Sequence, residues 1–101
     1  MNKDTIKLKN QATADSLRAF LHDNKYMHLD VRVWGKHIII YSKDPYGGQD
    51  NRVRLSYLSS DCYKLSISNH MDKWEDTYIT GTLNELKQLL LEQFGFVLED
   101  Y

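Results

Sequence analysis

Apolar side chains alternate with polar ones through residues 30–44, DVRVWGKHIIIYSKD, and the alternation changes phase at Trp34-Gly35-Lys36. A period of two puts successive side chains on opposite faces of a strand. The pattern predicts two strands, 27–34 and 37–42, joined by Gly35-Lys36. Glycine then takes the first central position of the loop, as a type II′ turn requires. This register pairs Val33 with Ile38 and Val31 with Ile40 on an apolar face. It pairs Trp34 with His37, Arg32 with Ile39 and Asp30 with Tyr41 on the other. A slip of one residue would carry the apolar set to the wrong side, so the pattern selects its own register.

A second hairpin follows at 52–58 and 62–68. A three-residue connection, Ser59-Ser60-Asp61, sets Val53 against Ile67, Leu55 against Leu65 and Tyr57 against Tyr63. A two-residue loop would place Leu55 against Ser66 and spoil the match. The opposite face then holds Arg52, Arg54, Ser56, Lys64, Ser66 and Ser68. Between the hairpins, KDPYGGQDN at 43–51 carries the only proline and a Gly-Gly pair, and reads as a loop. Residues 74–80, WEDTYIT, read as a fifth strand with Trp74 and Tyr78 on one face and Thr77 and Ile79 on the other.

The helical period appears at both ends. Ala14, Leu17, Phe20 and Leu21 make one stripe in a helix over 14–24, with Thr13 as N-cap and Asn24 as its stop. Leu83, Leu86, Leu90 and Phe94 make another over 83–94. There Thr82 and Glu85 match a capping box and Gly95 stands at C′. TIKLK at 5–9 alternates and predicts a short edge strand with its lysines in water. The tail FVLEDY is expected to fold back through Phe96 and Leu98.

Consecutive strands with short connections give an antiparallel meander. Two helices with one apolar stripe each cover one side of a sheet. The expectation is therefore an α+β two-layer sandwich: four to five strands, with an N-terminal and a C-terminal helix on one face. At 101 residues the chain, 1–101, suits one domain.

Composition adds bounds to this outline. Apolar residues make up 42% and charged residues 27%, which fits a folded domain and not a disordered chain. The formal net charge of −1 provides no global field for a polyanion. Cys62 stands alone, so no intrachain disulfide forms, which suits a reducing compartment. With no signal-like or membrane-length apolar run, a cytoplasmic protein without membrane contact is expected.

Candidate chemistry centres on the polar sheet face. Arg32, Arg52, Arg54 and Lys64 would share it with Trp34, His37 and Tyr41, against Asp30 alone, a local excess of about three positive charges. Arginine beside aromatic rings is the material of protein-contact hot spots. It also builds single-stranded nucleic-acid platforms, where bases stack on rings and guanidinium groups hold phosphates. The plain alternative is a solvated face whose Arg and Lys stems cover the apolar rungs. Tyr46, in the loop, adds a large side chain suited to anchoring a contact.

Other constellations carry less. KDPYGGQDN lacks phosphate-loop spacing, and no helix follows it. His22, His28, His37 and His70 show no metal-ligand spacing, though the fold can gather His70, Asp72 or Glu75. The negative charge of Asp61 beside Cys62 is expected to make it a poor nucleophile. The carboxylates Asp72, Glu75 and Asp76 sit at a strand entrance, where charges are usually solvated. The reading is a non-enzymatic interaction module with no cofactor or metal. It binds a protein partner or itself as a homodimer through the open face, with a nucleic-acid or anionic ligand there as the alternative.

Overall fold

The first helix is longer than its apolar stripe suggests. In the computed structural model, which describes residues 3–43, 45–59, 61–69 and 73–99, α1 runs Lys3–Asp23 and absorbs the expected edge strand at 5–9. As a strand, that segment would have set Ile6 and Leu8 on one side. The helix separates them, leaving Ile6 half-buried and Leu8 74% exposed. Its buried line is Asn10, Ala14, Leu17 and Leu21, at helical spacing. Asn10 is polar yet fully buried because Tyr63 Oη donates to its Oδ1 at 3.1 Å, and Thr13 Oγ1 lies 3.4 Å from the same phenol. Thr13 is thus inside the helix and not its N-cap.

Helix α1 ends in a Schellman arrangement. Tyr26 N–H donates to Leu21 O and Lys25 N–H to His22 O. Lys25, not Asn24, takes the left-handed conformation, with φ +73°.

Five strands follow in sequence order: β1 (Leu29–Trp34), β2 (His37–Lys43), β3 (Gln49–Ser59), β4 (Cys62–Ser68) and β5 (Trp74–Gly81). All neighbours are antiparallel. The first hairpin has the expected register throughout, from Asp30↔Tyr41 to Trp34↔His37. Gly35 has φ +60° while Lys36 stays negative, the signature of the type II′ turn.

The second hairpin keeps Val53↔Ile67, Leu55↔Leu65 and Tyr57↔Tyr63, but by another route. Ser59 pairs with Cys62, which shortens the turn to two residues. A bulge between Tyr57 and Ser59 then restores the apolar match.

The sheet packs one face on the helices. α2 (Leu83–Glu92) and the short α3 (Gly95–Leu98) complete the chain's order. The core joins Ala14, Leu17 and Leu21 of α1 and Leu86 and Leu90 of α2 to the sheet residues Val31, Ile38, Ile40, Val53, Leu55, Tyr63 and Leu65. This is the two-layer α+β arrangement. The capping box of α2 is formed, with Glu85 N–H donating to Thr82 Oγ1 and Thr82 N–H to Glu85 Oε1. The backbone and side-chain bonds from Thr82 hold the Glu85 carboxyl below its ordinary range.

The C-terminal segment differs from expectation. Gly95 begins the turn of α3 and is not a left-handed C′ residue. Val97 and Leu98 are buried, whereas Phe96 is exposed. No helix among the described residues is long and apolar enough to cross a membrane.

Candidate functional site

Side chains that point away from the helices form the candidate face. Along its central row stand Arg32, Ile39, Arg54, Ser66 and Asp76, one from each strand. Ile39 is only 1% exposed and Tyr41 7%, although no described helix lies on this side. The Arg32 guanidinium carbon lies 5.5 Å from the Tyr41 ring centre, and that of Arg54 lies 5.0 Å from the ring of Trp74. Flat cations over rings, with their aliphatic stems along the sheet, shield the ring faces they cover, and Arg32 and Arg54 flank Ile39 on either side.

Each predicted residue can now be placed. Arg32, Trp34, His37, Tyr41, Arg54 and Lys64 lie together on this face. Trp34 is 65% exposed at the hairpin end, with its ring centre 6.4 Å from that of His37. His37 Nδ1 and Ser56 Oγ share a 2.8 Å hydrogen bond. Tyr46 is 97% exposed in the β2–β3 loop.

Arg52 is not on the open face at all. The register of β2 on β3 shifts between Ile40 and Tyr41, so Tyr41 pairs with Asn51 and Arg52 becomes the extra residue of a bulge. Its side chain, 4% exposed, turns to the helical layer. Nη1 donates to Val97 O at 3.1 Å and Glu99 O at 2.8 Å, and Nη2 to Ser42 Oγ at 2.9 Å. Arg52 is a structural clamp on the C-terminal turn.

Three contributors were not legible in the sequence as members of this face. Trp74 stacks on Arg54, although its alternation alone left its face undetermined. A bulge in β5 inserts Thr77 and Tyr78 between the pairs Leu65↔Ile79 and Ser66↔Asp76, so Trp74 and Tyr78 do not form the expected shared row. Tyr78 takes φ +60° and is exposed there. Asp76 forms a salt bridge with Lys64, and that hydrogen bond holds the carboxyl below its ordinary range. Arg18 reaches from α1 to Asp30, with Nε donating to Oδ1 at 2.6 Å. Burial alone would raise the Asp30 carboxyl, but the bonds from Arg18 and from Val31 N–H bring it below the usual range.

The charge balance is correspondingly smaller than expected. Removing Arg52 and adding Asp76 leaves Arg32, Arg54 and Lys64 against Asp30 and Asp76, and Asp30 is already matched by Arg18. The loss comes from the bulge at Arg52 and from Asp76 on β5, neither of which alternation could reveal.

The sheet edges are partly occupied. On β1, His22 Nε2–H donates to Leu29 O at 2.9 Å, Arg18 Nη2 to Val31 O at 2.6 Å, and Val31 N–H to Asp30 Oδ1 at 2.7 Å. Side chains thus occupy several of the outward backbone groups a new strand would need. On β5, the bulge breaks the ladder, and Tyr78 N–H is taken by Asp76 Oδ1.

His37 has a depressed pKa because it is buried, with Arg54 and Lys36 nearby adding repulsion. An NMR titration of its ring protons should give a midpoint below the unfolded value of about 6.5. Stability from keeping it neutral is complete above that value and falls as pH drops through the folded midpoint. A midpoint at or above the unfolded value contradicts this placement.

Among the described residues, no group of three His, Cys, Asp or Glu side chains is placed to share a metal ion. His70 and Asp72, considered above with Glu75, lie outside the described residues, as do Asp44, Ser60, Asp100 and Tyr101. Comparison with models of known protein families, with curated proteins and with solved structures found no match to this chain.

Proposed function

We propose that this protein is a non-enzymatic interaction module that grips a protein partner, or a second copy of itself, with the open sheet face. The observation that carries this reading is the two Arg–aromatic pairs whose arginines flank the buried Ile39. It sets rigid, amphipathic side chains around an apolar centre, the composition of a contact hot spot. Trp34 stands exposed at one end of that face as a further anchor. The partly occupied edge of β1 and the bulged edge of β5 favour the face over strand addition as the point of contact.

A photoreactive side chain tests this in cells that make the protein. Trp34→benzoylphenylalanine preserves an aromatic group at the face, and Gln88→benzoylphenylalanine places the same group on exposed α2. Irradiation should give a discrete adduct from position 34 and none from position 88. An adduct of twice the chain's mass identifies self-association. Equal adducts from both positions, or none from position 34, reject the reading.

A further inference from the structure

We propose that the open face receives a carboxylate from an acidic segment of a partner protein, with Arg54 as the anchor; this rests on reading the face as a protein-contact surface. Arg54 is charged, half-buried and laid over Trp74. Its Nε is buried without a hydrogen-bond partner, and its guanidinium makes no ion pair among the described residues. The neighbouring acid on its row, Asp76, is committed to Lys64.

Stacking on an aromatic face fixes the plane of a guanidinium while leaving its N–H edge to bond laterally. A carboxylate matches that edge with two parallel hydrogen bonds. Arg32 repeats the arrangement over Tyr41, two strands away across Ile39, roughly 10 Å by strand spacing. Its Nε is also buried without a partner, but its Nη2 already donates to Asn51 Oδ1 at 2.9 Å. Arg54 is therefore the less committed of the two.

Two features favour a protein carboxylate over a nucleic acid. Base stacking requires open ring faces, whereas guanidinium groups already cover one face each of Tyr41 and Trp74. A chain of phosphates laid along the sheet would also meet Asp30 and Asp76, which stand on this side of β1 and β5. A single carboxylate at Arg54 stands apart from Asp30 and meets Asp76 only where Lys64 already neutralises it.

The test uses the isotopically labelled full chain and hexaglutamate peptide, with hexaglutamine and oligothymidylate as comparison probes, at low ionic strength. Hexaglutamate should shift the Arg54 Nε–H and Trp74 indole N–H resonances saturably, and hexaglutamine should leave them in place. Arg54→Gln should weaken the effect by roughly tenfold or more, as expected for lost charge-assisted bonds. The unmodified protein decides the main point, so a folding defect in the variant cannot obscure it.

The proposal is overturned if hexaglutamate leaves both resonances unmoved. It is overturned equally if oligothymidylate moves them at lower concentration than hexaglutamate, which assigns the face to nucleic acid. A blank titration with a position-34 adduct removes only the carboxylate assignment. Loss of that adduct removes the contact surface itself.

Discussion

Replacing Arg52 with methionine is expected to destabilise the fold by about 3 kcal/mol, the scale for removing one partner of a buried, charged hydrogen-bond set. For a domain of this size that lowers the melting temperature by roughly 15 °C. The reason lies in three consecutive backbone carbonyls at the end of α3. Arg52 donates to Val97 O and Glu99 O, and His28 Nε2–H donates to Leu98 O at 2.6 Å. Methionine approximates the stem but leaves two of these carbonyls and Ser42 Oγ without their donor. Lysine keeps the charge yet lacks the planar fork that reaches several acceptors, so Arg52→Lys should recover only part of the loss. Denaturant unfolding measures both variants. A change below about 1 kcal/mol for methionine would show that the C-terminal turn is held chiefly by the buried Val97 and Leu98.

Leu17→Ala should cost a similar amount, about 3 kcal/mol, with a range of roughly 2 to 5 depending on how far the site collapses. Leu17 is fully buried on the stripe that seats α1 on the sheet. Its loss has a second consequence, because the same helix supplies Arg18 and His22 to the outer edge of β1. Loosening α1 therefore exposes strand backbone as well as apolar surface. Arg18→Ala separates these effects. Its half-buried pair with Asp30 and its pair with the exposed Asp15 should contribute about 1 kcal/mol or less to stability, but the change frees Val31 O for pairing with another chain. Light scattering should show more self-association for Leu17→Ala and Arg18→Ala than for the unaltered protein. If Arg18→Ala is as monodisperse as the parent, side-chain capping is not what protects this edge.

The open face combines readable and unreadable contributions. Arg32, Trp34, His37 and Tyr41 could be assigned together because one hairpin register satisfies every apolar position in it. Arg54 and Lys64 followed from the second hairpin for the same reason. Arg52 failed that logic through a single bulge, which moved a buried cation from the proposed site to the opposite layer. Trp74 and Asp76 were obscured because β5 carries two inserted residues, and alternation has no meaning across such a break. In α1, the buried Asn10 interrupted the apolar stripe. Its hydrogen-bonding partner, Tyr63, lies far away in sequence and becomes visible only when the helix meets the sheet.

By itself, the sequence determined the pairing of both hairpins, the capped second helix and the two-layer α+β plan. Those features follow from local period, turn chemistry and the need to bury one apolar face per element. Only the tertiary structure decided where the bulges fall, which arginine became a clamp, which ones lie stacked on rings, and how α1 partly occupies the edge of β1. Those outcomes depend on contacts between residues remote in the chain, where satisfying a carbonyl or covering a ring outweighs the local alternation.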